Sequence, residues 1–174
     1  MKKIYFVLIL ITSYACSNIN DLTSFTANYE QQFTIPGSVD KDSPTDIQTP
    51  DITTKTESLY QTNNTSKKLI ESILLSEMHI NHIFPSNGDI GFISSIEVFI
   101  NADNLEENKI AYKLNIPESV GDTIKLETTD VNVKEYLNKD SFNFRVRITT
   151  DSTITEEQGL NIYSLYTIKA ELLP

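Results

Sequence analysis

Apolar and polar residues alternate in several short runs along the chain, a pattern typical of half-buried β-strands. The clearest run sets Phe142, Phe144, Val146 and Ile148 between Asn143, Arg145 and Arg147. Seven such runs predict strands, in chain order Phe25–Ile35, Ile73–Phe84, Ile96–Ile100, Ile110–Ile116, Ile124–Leu126, Phe142–Ile148 and Ile162–Leu172. Polar turns separate these runs, so the alternation indicates a protein built mainly from β-sheet.

Two details refine this picture. Leu74 and Leu75 break the phase that Met78, Ile80 and Phe84 share, which predicts a β-bulge near Ser76. Two short helices are also predicted, because side-chain oxygens can accept the first N–H groups of a helix. The first is expected at Lys67–Glu71, with its cap among residues 62–65. The second is expected at Val131–Leu137, with Asp130 as its cap.

We therefore predict an all-β fold, an antiparallel β-sandwich of about seven strands, immunoglobulin-like, with one or two short helices. The crossover helices that a parallel α/β sheet requires are missing from the pattern. Residues 25–174 are assigned to this domain. Within it, residues 38–56 carry Pro44 and Pro50 and few large apolar side chains, so we expect a loosely ordered crossover, with one edge strand around Ile47–Thr54 as an open alternative.

The beginning of the chain has the composition of an export signal. Positive charge at Lys2 and Lys3 precedes the apolar run Ile4–Ile11, and the small residue Ala15 stands just before the expected cleavage point. Eight residues of helix span roughly 12 Å, well short of the ~30 Å hydrocarbon core of a membrane. Residues 1–15 are therefore predicted to be a signal peptide.

Cys16 follows this segment and is the single cysteine of the chain. The stretch Ser13-Tyr14-Ala15-Cys16 resembles the lipobox of bacterial lipoproteins, although Ser13 stands where that motif usually has Leu. The resemblance implies that Cys16 is acylated and becomes the first mature residue, with residues 16–24 as a polar tether. Ser17 after the cysteine implies the outer membrane. An ordinary signal-peptidase site is the alternative, and periplasmic or surface exposure stays open.

Charge narrows the choice of partners. Removal of residues 1–15 takes away Lys2 and Lys3 and no acid, which lowers the formal charge from −10 to −12. An acidic surface repels phosphate backbones, so we expect no nucleic-acid partner. The expected contact with a membrane is through the covalent lipid.

The candidate chemistry is sparse. His79 and His82 lie three residues apart, which on a strand puts them on opposite faces and prevents a shared metal site. Two acidic loops, one with Asp103, Glu106 and Glu107 and one with Asp151, Glu156 and Glu157, match no calcium-loop signature and are predicted to be solvated. No nucleophile elbow, zinc-protease motif or phosphate loop occurs. We therefore predict no catalytic residues, no cofactor and no metal site.

From the turn at Ser86 to Phe142 the chain resembles a group of small lipoproteins of Bacteroidota. The residues that carry this resemblance are Ser95–Ile100, Ala111-Tyr112-Lys113, Asn115-Ile116-Pro117 and Tyr136–Phe142. It covers about half of the mature chain and implies no activity.

Together these observations predict an envelope lipoprotein that acts as a non-catalytic interaction or structural module. A glycan-binding surface lipoprotein is the alternative. Because the chain has no Trp, its candidate sugar platforms are Tyr60, Tyr112, Tyr163 and Tyr166, of which the last has the alternation of a core residue.

Overall fold

The structure, a computed structural model, describes residues 24–86 and 88–171. The predicted signal peptide, Cys16, most of the tether and Leu172 lie outside the described residues. The strands are β1 Ser24–Ile35, β2 Thr45–Gln48, β3 Ile52–Thr53, β4 Ile70–Phe84, β5 Ile93–Asn101, β6 Asn108–Lys113, β7 Thr123–Lys125, β8 Glu127–Thr128, β9 Ser141–Thr150 and β10 Gln158–Ala170. The helices are α1 Thr56–Thr62 and α2 Lys134–Leu137, with a 3₁₀ turn at Lys67–Leu69.

The strands form two antiparallel sheets that pack as a sandwich, which confirms the predicted all-β class. One sheet has four strands in the order β1-β10-β4-β7. The other has six, in the order β2-β9-β5-β6-β8, with β3 also pairing with β9. The seven predicted strands correspond to β1, β4, β5, β6, β7, β9 and β10. The structure adds the short strand β8, and it has the short strands β2 and β3 in the region where an edge strand around Ile47–Thr54 was the alternative. Among the described residues, no helix is long and apolar enough to cross a membrane.

Alternate side chains of both sheets meet between the layers. Phe142, Phe144, Val146 and Ile148 of β9 are each at most 1% exposed. They face the apolar residues of β10 and β4, and Tyr29 of β1 contacts Phe142 edge to face with ring centroids 5.2 Å apart. Burial of these side chains is the main stabilising contribution, since each large apolar group contributes about 1.5–3 kcal/mol when removed from water.

The predicted bulge in the second long strand is confirmed. Leu165 of β10 pairs with Glu77, but its neighbour Tyr166 pairs with Leu75, so Ser76 is the extra residue of β4. The bulge returns both halves of β4 to one phase, and Ile73 and Met78 are both fully buried. Phe84 was wrongly assigned to this buried phase, because β4 leaves the core at its end and Phe84 is 56% exposed.

The helix predicted at Lys67–Glu71 is only a 3₁₀ turn, Lys67–Leu69, because Ile70 and Glu71 already belong to β4. The α-helix of this region is α1, and it ends where the sequence suggested that a helix would begin. Asn63 closes it, because its backbone N–H and side-chain amide both donate to the Leu59 carbonyl, at 3.2 and 2.8 Å. Asn64 then takes a positive φ of 52°, a conformation that Asn tolerates better than most residues and that terminates helices.

The second helix is shorter than predicted. It begins at Lys134 rather than Val131, and Asn132 rather than Asp130 serves its first turn. The Asn132 side-chain oxygen accepts hydrogen bonds from the backbone N–H of Lys134 at 3.1 Å and of Ile73 at 3.0 Å. The same side chain therefore starts α2 and fixes it to β4.

Candidate functional site

The four tyrosines predicted as sugar platforms lie in different environments. Tyr166 is fully buried, and burial raises the pKa of its phenol. Tyr60 is 3% exposed and donates to the side-chain oxygen of Asn138 at 2.9 Å, and burial raises its pKa to about 12. Because a sugar ring needs an open aromatic face, these two are unsuited to the role. Tyr112 and Tyr163 are half-buried and keep part of their rings accessible.

Tyr163 forms a stacked pair with His79 on the outer face of the four-stranded sheet. Strands β10 and β4 place the two residues directly opposite each other, with ring centroids 4.7 Å apart and planes inclined by 13°. Glu30 of β1 and Lys125 of β7 extend the same cross-strand row on either side. The row therefore presents two stacked rings between a carboxylate and an ammonium group.

We name this outer surface of the four-stranded sheet the tyrosine face. Leu165 and Lys169 also lie on this face. Its other outward side chains are mostly uncharged hydrogen-bonding groups, namely Thr26, Asn28, Gln32, Ser76, Asn81, Thr123, Asn161 and Thr167. Lys125 lies 3.4 Å from the Glu77 carboxylate, so these two charges on the tyrosine face compensate each other. The side-chain oxygen of Asn81 is buried and has no hydrogen-bond partner among the described residues. Aromatic rings beside hydroxyl and amide groups suit a neutral, hydroxyl-rich ligand.

The outer face of the six-stranded sheet has a different chemistry, because its charges are paired with one another. Arg145 bonds to both Glu107 and Asp46, and Arg147 bonds to Asp46 through two nitrogens at 3.0 Å. Hydrogen bonds from Arg147, and then from Arg145, hold the pKa of Asp46 below its ordinary value. The hydrogen bond from Arg145 has the same effect on the pKa of Glu107. These charges therefore stabilise one another.

A cleft of about 630 Å³ opens at the end of the sandwich where β1 begins. Lys55, Lys67 and Lys139 line it, and none of them has a carboxylate within 4.0 Å in the described part of the chain. Lys67 instead donates to the Asn138 carbonyl at 2.6 Å. Glu57 and Asp140 also line the cleft and balance most of the positive charge. Its electrostatic preference for an anion is accordingly small.

The opposite end of the sandwich is strongly acidic. Four loops meet there, and they carry eight carboxylates, Asp40, Asp42, Asp89, Glu118, Asp122, Asp151, Glu156 and Glu157, against the single cation Lys41. Backbone hydrogen bonds hold the loops together, for example from Ile90 to Gly121 at 2.8 Å and from Asp151 to Phe92 at 3.0 Å. We call this region the acidic end.

The two acidic loops singled out in the sequence do not come together. The loop with Glu107 follows β5 at the end where β1 begins, whereas the loop with Glu157 belongs to the acidic end. Within residues 24–86 and 88–171, no group of three or more His, Cys, Asp or Glu side chains is placed to hold a metal ion.

The two histidines make different contacts. His79 stacks on Tyr163, while the Nε2 atom of His82 is 3.0 Å from the side-chain oxygen of Gln158 and its ring meets Phe92 edge to face. Sequence reasoning could not find the Tyr163–His79 pair, because cross-strand register between residues so far apart in the chain is a tertiary property.

Comparison with known proteins adds no information about function to the fold and the site. No family model matches the chain, and no curated protein matches it. A chain from a structure of Desmodium yellow mottle tymovirus is similar over 87% of this chain and 90% of its own length, with 13% identity and a TM-score of 0.28. A likeness of that degree carries no argument about function.

Proposed function

We propose that this chain is an envelope lipoprotein, anchored in the outer membrane through a lipid on Cys16, whose β-sandwich is a non-catalytic interaction or structural module. The N-terminal sequence pattern supports the export and lipidation steps. The position of β1 supports the arrangement of the module, because β1 starts at Ser24, eight residues after Cys16. Eight residues reach at most about 28 Å when extended, so the sandwich lies close to the membrane.

The observation that carries this proposal is the charge difference between the two ends of the sandwich. The tether enters at the end that holds α1 and the lysine-lined cleft. The acidic end is at the other extremity of β1, beyond Ile35. An anchor at Cys16 therefore turns the acidic end away from anionic lipids, where its carboxylates are not repelled, and presents it to other envelope molecules.

Detergent-phase partitioning tests the anchoring. The full chain, expressed in a bacterial host that lipidates its own lipoproteins, should enter the detergent phase of a Triton X-114 separation. Cys16→Ala should remain in the aqueous phase, and Ser17→Ala, which keeps the thiol, should partition like the wild type. Recovery of the wild-type protein in the aqueous phase would reject a lipid anchor.

A second candidate function, glycan binding, rests on one observation, the stacked Tyr163–His79 pair among uncharged amides and hydroxyls on the tyrosine face. A sugar ring would pack on the exposed edge of these aromatic rings while Asn161, two residues from Tyr163 on the same face, bonds to its hydroxyls. A glycan array tests this directly. Saturable binding that is lost in Tyr163→Ala and retained in Tyr112→Ala would support it, and equal loss in both variants would contradict it.

A further inference from the structure

Strand β1 is an unusually open edge of the four-stranded sheet. Its twelve residues each have a partner in β10, with no shift of register from Ser24 to Ile35. By contrast, the β10–β4 ladder contains three shifts. Proteins usually protect sheet edges with Pro, Lys or bulges, and β1 has none of these and a single charged residue, Glu30.

The direction of the backbone groups on β1 follows from one contact. The hydroxyl of Ser164 donates to the Tyr29 carbonyl at 3.3 Å, so this carbonyl faces β10. Because antiparallel residues alternate in the side to which they point their N–H and C=O groups, Asn28, Glu30 and Gln32 direct theirs away from β10. In the described part of the chain, β1 pairs with β10 alone, so no strand pairs with these groups. The Gln32 carbonyl accepts from the Gln31 side chain at 2.9 Å, an exposed contact that an added strand would replace.

Two cavities accompany this edge. The first, of about 520 Å³, lies beside residues 26–30 and is walled by Ile52 and Leu59. The second, of about 460 Å³, lies beside residues 32–34 and is walled by Ile47, Pro50 and Phe84. Together they follow the edge of β1 for most of its length. They could receive alternate side chains of an extended peptide, which all point to the same side.

Charge further defines the occupant. Glu157 lines the second cavity at the acidic end, so the cavity opens toward a concentration of carboxylates. A peptide that leaves the groove there gains attraction if that end carries Lys or Arg. Ile52 and Leu59 in the first cavity, and Ile47, Pro50 and Phe84 in the second, favour apolar side chains at the alternate positions that enter them. Lys55 and several hydroxyl groups also line the first cavity.

We propose that β1 binds an extended segment of a partner protein by strand addition, with apolar residues at alternate positions and a basic residue at the end beside Glu157. This mode uses main-chain hydrogen bonds for affinity and side-chain pockets for specificity. It specifies how the interaction module under Proposed function would engage a partner, and to that extent it rests on that function. Strand addition to β1 does not depend on the lipid anchor.

Selection from a phage-displayed library of random peptides tests the proposal. Peptides of about ten residues span roughly 33 Å of strand, enough to cover the groove. We expect the wild-type protein to enrich sequences that alternate apolar and polar residues and end in Lys or Arg. Failure to enrich such sequences would overturn the proposal.

A matched pair of variants at Gln32 separates strand addition from side-chain contacts. Gln32→Pro removes an N–H that faces away from β10, a place where edge strands tolerate Pro, whereas Gln32→Val removes the same side chain and keeps the N–H. The Pro variant loses one main-chain hydrogen bond and places its ring against the added strand, so its affinity for the selected peptides should fall on the order of tenfold. The affinity of the Val variant should change little. Equal affinity of the two variants would contradict the proposal.

Two further measurements keep the test decisive. Phe84→Ser alters an exposed wall of the second cavity without touching the β1 backbone, so it should reduce binding even if Gln32→Pro fails to fold. Light scattering of the wild-type protein reports any self-association. Dimers abolished by Gln32→Pro would make a second copy the occupant and overturn the peptide proposal. If the wild-type protein selects peptides but stays in the aqueous phase of the Triton X-114 separation, only the proposed lipid anchor is overturned.

Discussion

The guanidinium group of Arg145 lies over the ring of Phe99, with 3.9 Å between its central carbon and the ring centroid. The two residues are directly opposite each other in β9 and β5 and both point out of the sandwich. Arg145 therefore covers an aromatic ring that would otherwise face water, and ion pairs with Glu107 and Asp46 hold its guanidinium group there. This contact combines packing, cation–π attraction and paired charges in one surface residue.

The first prediction follows from that contact. Arg145→Ala should lower the free energy of unfolding by about 1–2 kcal/mol, since it uncovers Phe99 and leaves two carboxylates without their partner. Arg145→Lys should recover part of this loss, because Lys keeps the charge but not the planar fork. Arg147→Ala, more exposed and farther from the ring, should have a smaller effect. Urea unfolding at unchanged slope measures all three, and an equal loss for Arg145→Ala and Arg147→Ala would contradict the assigned role.

The second prediction concerns pH. The pKa values of Asp46 and Glu107 lie below their ordinary values of 3.8 and 4.5 in the folded protein, because arginines donate hydrogen bonds to both carboxylates. The unfolded chain therefore binds more protons at these groups as the pH falls. Their stabilising contribution is complete above about pH 5 and is lost as the pH drops through the lowered folded values.

The double variant Asp46→Asn with Glu107→Gln should accordingly be less stable than the wild type at pH 7, by under about 1 kcal/mol per group because water and salt screen them. The difference should shrink toward pH 3. Glu118→Gln, at the acidic end, serves as a control that removes a carboxylate without an arginine partner. A stability difference that stays constant from pH 7 to pH 3 would show that lost packing, rather than charge, causes it.

The third prediction concerns the bulge in β4. Insertion of one alanine after Ser76 would add a second extra residue. One half of β4 must then turn its buried side chains, either Ile73 and Leu75 or Met78 and Ile80, toward water or shift its pairing with β10 by two residues. Since each large apolar side chain contributes about 1.5–3 kcal/mol when buried, the insertion should prevent stable folding. Deletion of Ser76 should instead be tolerated, because Leu75 and Met78 then lie two positions apart and both still face the core. Thermal unfolding followed by circular dichroism distinguishes the two variants, and a stable insertion variant would disprove the role of the bulge.

The sequence alone was sufficient for features that depend on local periodicity. The bulge at Ser76 was predictable because Leu75 and Met78 are three positions apart in a period-two run and can both face the core only with an extra residue between them. The position of Phe84 was not, because the point at which a long strand leaves the core depends on the length of the opposing sheet. The contacts of Arg145 with Asp46 and Glu107 were likewise hidden, since they join three segments that only the sheet register brings together.

The same reasoning explains why the crossover at residues 38–56 was hard to interpret. Its short strands β2 and β3 have little alternation of their own and gain their conformation by pairing with β9. Thr49, between them, is buried, and its backbone N–H donates to the Phe144 carbonyl at 2.8 Å while its hydroxyl accepts from the Phe144 N–H at 2.9 Å. Such interactions come from the partner strand and leave no local signature.

The last prediction is that this crossover opens unevenly. Residues 40–44 are exposed, and their backbone is held chiefly by the hydrogen bond from Asp42 to the Thr150 carbonyl. Residues 45–49 are instead fixed by the ladder to β9, by Thr49 and by the Asp46–arginine bonds. Since segments with few buried contacts open at low free-energy cost, limited trypsin digestion should cut first after Lys41. The fragment ending at Lys41 should remain bound to the rest of the sandwich through the pairing of β1 with β10. Hydrogen exchange should be fast at residues 40–44 and slower at Ile47 and Thr49.

Asp46→Asn should accelerate exchange at Ile47 and leave that of Phe144 unchanged, because the core of β9 does not depend on its edge partner. Uniformly fast exchange across residues 40–49 would instead support a crossover that is loosely ordered throughout.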